Sequence, residues 1–381
     1  MTTAHRKRNT APTAAAAPLT HPGVTILPGL DAQPASPARP PSLFPLPSSL
    51  FPLRPSDLVP RPSPLPRPVD IYAAARRLEG VARRTPLRHS PGLSAVAGGD
   101  VYLKCEHEQV TGSFKLRGAF NAIAVLPEEV RRRGVVASSA GNHGLGVAYA
   151  ARHFGIPATI YVPSTAPLVK KRGIAELGAT VDDRAPDYDA AMAVAKARAA
   201  SDGTLFINPC VGDSVLAGQG TVGLEIVADL PDVASVVVCV GGGGLLGGVG
   251  GFLRGVAPHV RIVGAQSVNT AAMARSLAAG AVVEVPYLPT LADGLAGQIE
   301  ESALAVGRAA LDEIVTVEEA EIAAAIAWLA REHEARVEGS GAVAVATVLR
   351  RRAAALPTPA AVIVSGGNID PERFAQVVAA V

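Results

Sequence analysis

From Val69 onward the hydrophobic positions form two kinds of segment, and these alternate. Short, nearly continuous apolar runs rich in β-branched residues predict buried strands at Gly134–Ser138, Ala158–Val162, Val236–Val240, Arg261–Ala265 and Ala361–Ser365. Shorter runs at Val101–Lys104, Thr180–Asp183 and Thr204–Ile207 predict three more. Between them, apolar residues at helical spacing predict helices over Ser113–Leu126, Gly144–His153, Leu168–Leu177, Tyr188–Ala200, Thr270–Ala279, Glu318–Glu334 and Ser340–Arg351. A first helix is expected over Ile71–Leu78, with Asp70 as its N-cap. Strands separated by helices of this length imply an α/β fold with parallel sheets covered on both faces. Ligands in such folds bind beyond the carboxyl ends of the strands. No repeat of 20–50 residues is present.

The first 68 residues are different in kind. Seventeen are proline, a density that favours extended or disordered chain. Three readings stay open for this stretch: a solvated extension, an overcalled start with the true one near Val69, or a transit peptide built on Arg6, Lys7 and Arg8. A signal peptide is disfavoured because no uninterrupted apolar run follows that basic cluster. The expected organisation is a Pro-rich extension over 1–68 and a catalytic body over 69–381.

Composition narrows the function. The extension holds seven basic and two acidic residues, so the body of a chain whose net charge is +2 is itself mildly acidic. With only 4% aromatics as well, this argues against a nucleic-acid partner. No membrane segment is expected: the most apolar stretch, 233–253, is interrupted by eight glycines. Three widely spaced cysteines, Cys105, Cys210 and Cys239, exclude a disulfide framework and a Cys-rich zinc site, and suit a reducing compartment. The expected location is the cytoplasm.

Two segments carry chemistry. Gly241-Gly242-Gly243-Gly244-Leu245 follows the most apolar strand and opens a helix, an arrangement whose exposed backbone N–H groups cradle phosphate. It contains G-x-G-x-x-G, but the next strand ends in Ala265-Gln266-Ser267, without the acid that a dinucleotide ribose requires. A nucleotide-binding dehydrogenase is therefore the weaker reading, and a monophosphate cofactor the better one. In Thr111-Gly112-Ser113-Phe114-Lys115-Leu116-Arg117-Gly118 a lysine begins a helix behind Ser113 as N-cap, against the sign of the helix dipole. An intact lysine there argues against a module that merely binds a ligand.

Together these segments resemble the fold-type II pyridoxal-phosphate enzymes of the threonine/serine dehydratase family, which includes serine racemase. Ser139-Ala140-Gly141-Asn142-His143-Gly144 and Ser365-Gly366-Gly367-Asn368 complete the resemblance in order and spacing. Ala292-Asp293-Gly294 and Glu338-Gly339-Ser340-Gly341 agree more weakly.

The resemblance implies two parallel-sheet α/β subdomains, tryptophan synthase β-like, with pyridoxal 5'-phosphate between them. The large one would span about 69–127 and 213–381, and the small one about 128–212. It also implies roles. Lys115 would carry the cofactor as a Schiff base and act as the base. Phe114 would lie against the pyridine ring, Gly241 to Gly244 and Leu245 would hold the phosphate, Asn142 would bond the ring hydroxyl, and Ser365 would face the ring nitrogen. Ser139, Ala140, Gly141, Asn142 and His143 would hold the substrate carboxylate, and Glu338 would lie near the cofactor.

The implied reaction is dehydration of a β-hydroxy amino acid, L-threonine or L-serine, to a 2-oxo acid and ammonia. The alternatives are serine racemase and a dehydratase of a less common hydroxy amino acid. In serine racemase a serine immediately before Gly-Asn-His supplies the second proton; the matching residue is Ala140. Members with a divalent metal place carboxylates where this chain has Gln266 and Ala272, so no metal is expected. The partner is a small amino acid, and a homodimer or homotetramer is the expected assembly.

Overall fold

A computed structural model describes residues 63–381. In chain order the elements are α1 (Pro68–Leu78), β1 (Leu87–His89), α2 (Pro91–Ala97), β2 (Val101–Lys104), α3 (Lys115–Ala124), α4 (Glu128–Arg131), β3 (Val135–Ser138), α5 (Asn142–Phe154), β4 (Ala158–Pro163) and α6 (Leu168–Glu176). They continue with β5 (Thr180–Ala185), α7 (Tyr188–Asp202), β6 (Leu205–Phe206), α8 (Asp213–Asp229), β7 (Ser235–Cys239), α9 (Gly244–Val256), β8 (Arg261–Ser267) and α10 (Ala272–Ala279). The last are α11 (Glu301–Ala310), β9 (Glu313–Val317), α12 (Glu319–His333), α13 (Gly339–Leu349), β10 (Ala360–Ile363) and α14 (Pro371–Ala379).

The strands form two sheets. One has six strands in the order β1-β2-β10-β7-β8-β9, parallel throughout except for the β1–β2 pair. The other has four parallel strands, β5-β4-β3-β6. At the centre of the first, Val237 of β7 is in register with Val362 of β10 and with Val263 of β8, and all three side chains are buried. Continuous apolar runs are what a strand covered on both faces requires.

Each sheet has its own core. The larger core surrounds the six-stranded sheet and includes α9 and α13. The smaller joins β3 and β4 to Leu116, Ala119, Phe120 and Ile123 of α3 and to Val147, Ala148 and Ala151 of α5. Helix α3 thus contributes its apolar face to the four-stranded side, while the segment just before it pairs with the six-stranded side.

The local expectations hold for most elements and fail at identifiable places. Asp70 does not cap α1: Arg67 does, with Asp70 at the third helical position bonding back to the Arg67 backbone and guanidinium. Packed chain begins before Val69, because Leu65 is buried and Pro66 and Pro68 lie against Gly251 and Gly255 of α9. The expectations for residues 1–62 lie outside the described residues. Ser113 does not cap α3 either; it forms an isolated antiparallel bridge with Gly366 and leaves Phe114 at the cap position.

Helix α8 has no counterpart among the expected elements. It is buried along most of its length, so it shows no polar face, and it carries Gly218, Gly220 and Gly223. Those glycines are the reason it fits. A Cβ at Gly218 would collide with the Arg117 carbonyl and one at Gly248 with the Gly220 backbone, so α3, α8 and α9 pack backbone to backbone.

Candidate functional site

The lysine segment is joined to the end of β10. Besides the Ser113–Gly366 bridge, the Phe114 N–H donates to the Ser365 carbonyl at 3.2 Å. Helix α3 then starts at Lys115, whose ammonium points into a cavity, donating to the Pro209 carbonyl at 2.8 Å. It lies 3.9 Å from Cys210 Sγ and 5.2 Å from the centroid of the Phe114 ring.

The glycine loop forms the opposite wall. It follows β7, the strand next to β10, so the two loops share one sheet end. Gly243 takes a left-handed conformation, φ +86°, and caps the 13-residue α9, leaving the loop's N–H groups at the positive end of a helix. A Cβ at Gly242 would lie 2.7 Å from Cys210 Sγ. The cavity is lined by Phe114, Lys115, Cys210, Cys239, Gly241 to Gly244, Leu245, Gly294 and Leu295.

Ser365 is buried beside it. Its hydroxyl lies 3.4 Å from the Ser340 carbonyl and accepts from Cys239 Sγ at 3.3 Å. Burial pushes the Cys239 thiol up to about 11, so that position stays neutral.

The asparagine loop comes from the other sheet, at the carboxyl end of β3. Ser139 Oγ accepts from the Gly141 N–H at 3.2 Å, and Gly141 caps the 13-residue α5. The Asn142 carboxamide is bonded at both ends: Nδ2 donates to Glu338 Oε1 at 2.6 Å, and Oδ1 accepts from Asn368 Nδ2 at 2.6 Å. Asn368 Nδ2 also donates to the Thr111 carbonyl at 2.8 Å. His143 Nε2 is 2.8 Å from the Ile207 carbonyl. Burial, with a contribution from the Lys115 charge, lowers His143 to about 3, which keeps the ring neutral.

Glu338 is moved the other way. It is buried at the N-cap of α13, and burial first, then the Asp293 charge, raises its carboxyl to about 7. The Asn142 bond and the Lys170 and Lys115 charges oppose the rise.

Behind the lysine lies a buried charge cluster that motif spacing does not reveal. Arg117 bonds Glu106 through Nε and Nη2, both at 2.8 Å, and Glu225 through Nη1 at 2.7 Å and Nη2 at 2.9 Å. Lys104 Nζ bonds Glu225 and the Thr85 carbonyl, both at 2.6 Å. Two cations and two carboxylates therefore balance where α3, α8, β2 and the turn after β2 meet. Burial opposes the Arg117 charge, but Glu106 and Glu225 hold it above the usual arginine range; burial likewise opposes the Glu106 carboxylate, which Arg117 holds below its usual range.

Gln266 is buried, donating to the Val240 and Thr270 carbonyls and accepting from the Ala274 N–H. Elsewhere, donor atoms of Cys105, His107 and Glu108 lie within 4.8 Å of one another, with the Arg88 guanidinium bonded to both Glu108 and Cys105.

These residues fit pyridoxal phosphate. The glycine loop has no room for side chains at Gly242, an amine faces it across the cavity, and a neutral hydroxyl lies beside it. The hydroxyls of Thr111, Ser113 and Ser138, in the segments leading to Lys115 and to Asn142, are buried without partners. Residues 78–366 match the family described as pyridoxal-phosphate dependent enzyme, and the chain belongs to it; its cofactor is pyridoxal phosphate.

Within that family it is similar to proteins that handle hydroxy amino acids. It is 46% identical over 310 residues to the L-threonine ammonia-lyase of Thermotoga maritima, covering 81% of this chain and 77% of that protein. Maize serine racemase superposes with a TM-score of 0.78 at 31% identity, covering 83% of this chain and 98% of that one. The processed form of threonine deaminase isoform 2 from Solanum lycopersicum gives 0.76 at 34%, covering 82% and 86%.

Proposed function

We propose that the chain is a threonine/serine ammonia-lyase, converting L-threonine to 2-oxobutanoate and L-serine to pyruvate, each with release of ammonia. The observation that carries this is the cavity in which the amine of Lys115 faces the glycine loop of Gly241 to Gly244. Lys115 would serve both as the cofactor's anchor and as the base that takes the α-proton.

When bound, pyridoxal phosphate supplies an electron sink for the bond to the α-proton. Lys115 Nζ holds the cofactor and later accepts that proton. The amides of Gly241 to Gly244 and the start of α9 hold the phosphate. Phe114 would pack against the ring, and Asn142 would position the ring hydroxyl. Ser365 would offer the ring nitrogen a neutral hydroxyl, which would favour prompt loss of the β-hydroxyl. Ser139 to His143, at the N-terminus of α5, hold the substrate carboxylate; His143 orients the loop through the Ile207 carbonyl and transfers no proton.

Elimination is favoured over racemisation by Ala140, whose methyl group has no proton to give. The test is a panel of β-hydroxy amino acids assayed for 2-oxo acid with the purified holoprotein. Threonine and serine are expected to give product; no 2-oxo acid from any member overturns the reading.

A further inference from the structure

Asn142 begins α5, just beyond β3 of the four-stranded sheet, yet both ends of its carboxamide are held by residues of the other side. Nδ2 donates to Glu338 at the start of α13, and Oδ1 accepts from Asn368, just beyond β10. Asn368 is itself tied to the Thr111 carbonyl, four residues before Lys115. This uses one N–H and one lone pair of Asn142 and leaves one of each for a ligand. Glycine is needed at 366 because a Cβ there would strike the Glu338 carboxylate and lie 3.1 Å from Asn142 Nδ2.

We propose that Glu338 and Asn368 are positioning residues for the reaction: they clamp the Asn142 carboxamide across the cleft, and the clamp is tight when Glu338 is a carboxylate and loose when it is protonated. This rests on the role of Asn142 at the cofactor ring given above. An N–H donated to a carboxylate is roughly twice as strong as one donated to a neutral acid. The charged and titratable groups facing Glu338 are Asp293 from the turn before α11, Lys170 from α6 and Lys115 from α3. Asp293 and Lys170 lie 3.3 Å apart and offset each other, so the carboxyl is governed mainly by burial, which raises it to about 7. The switch then falls in the working range of pH.

The test compares wild type with Glu338→Gln, which keeps an acceptor for Asn142 but cannot ionise. The wild-type kcat is expected to rise as pH increases through about 7. In the variant that limb is expected to vanish, with kcat at pH ~8.5 about fivefold below wild type and KM little changed. A limb of equal size and midpoint in the variant overturns the proposal.

Melting temperature is the second readout and does not depend on the reaction. An acid whose carboxyl is raised on folding adds stability below its unfolded value, and this is lost as pH rises through the folded value. Wild type should therefore lose stability relative to Glu338→Gln between pH about 4.5 and about 7. A constant difference overturns the proposal. If the wild type forms no 2-oxo acid, the proposed reaction fails, while the melting comparison still decides whether Glu338 titrates here. Should Glu338→Gln not fold, Asn368→Ala opens the other end of the clamp. It is expected to lower kcat severalfold with the acidic limb unmoved, and an undiminished kcat overturns the proposal.

Discussion

Cys210 Sγ stands 3.9 Å from Lys115 Nζ, between that amine and the glycine loop. Any group added to Cys210 would enter the space the cofactor needs. The other two cysteines are buried, and burial pushes Cys105 up to about 12 and Cys239 up to about 11. Iodoacetamide should therefore label Cys210 first, and a bound cofactor should slow the labelling. Peptide mapping by mass spectrometry checks the site, and Cys210→Ser should retain cofactor binding after treatment.

Lys115 is expected to be the residue that borohydride links to the cofactor. Purified protein should be yellow, and Lys115→Ala should lose the covalent link and almost all turnover while keeping its melting temperature. Recovery of the reduced cofactor on another lysine would refute the assignment.

Arg117 should matter for stability out of proportion to its distance from the chemistry. Arg117→Met leaves the buried Glu106 carboxylate without its cation, while Glu225 keeps Lys104, and a broken buried pair of this kind costs about 3–5 kcal/mol. Urea unfolding should show a lower midpoint at unchanged slope, with the unfolding free energy reduced by that amount. Replacing an exposed pair member such as Arg132, bonded to Glu128, should cost about 0–1 kcal/mol.

His143 should stay neutral. Its ring is lowered to about 3 in the fold, so the unfolded chain binds the extra proton between about 3 and 6.5. Stability from this group is full above pH ~6.5 and is lost as pH falls toward about 3. Imidazole nitrogen chemical shifts should report the neutral ring at pH 5, where an ordinary histidine is charged.

Ala140 bears on stereochemistry. With L-serine, pyruvate should form far faster than D-serine, as measured by chiral chromatography after partial turnover. D-serine appearing as fast as pyruvate would require a proton donor other than residue 140. Ala140→Ser should raise D-serine formation slightly, because the new hydroxyl lacks a supporting shell to orient it.

The parts of this site that were legible in the sequence are those made by neighbours in the chain. A glycine run after an all-apolar strand and a lysine at a helix start each announce their chemistry within eight residues. What the sequence conceals is made by distant partners. The Asn142 bonds to Glu338 and Asn368 span 196 and 226 residues. Lys104, Glu106, Arg117 and Glu225 read individually as surface charges, the ordinary place for such residues, and only the fold brings them into one buried group. Helix α8 was hidden by glycines that local propensity counts against a helix and that packing against α3 and α9 requires. The Ser113 cap failed for a similar reason: its backbone was committed to pairing with Gly366.

That pairing has a consequence for how the enzyme keeps its cofactor. The bridge between Ser113 and Gly366 and the bond from Phe114 to Ser365 make the lysine segment and the serine loop one rigid piece, and the glycine loop hangs from the neighbouring strand of the same sheet. The residues proposed to anchor the cofactor, to seat its phosphate and to meet its ring nitrogen are thus carried together. The loop proposed for the substrate carboxylate belongs to the other sheet. Its Asn142 is nonetheless tied back to the six-stranded side through Glu338 and Asn368, so an arriving amino acid would meet a cofactor already in register with the loop that is to hold it.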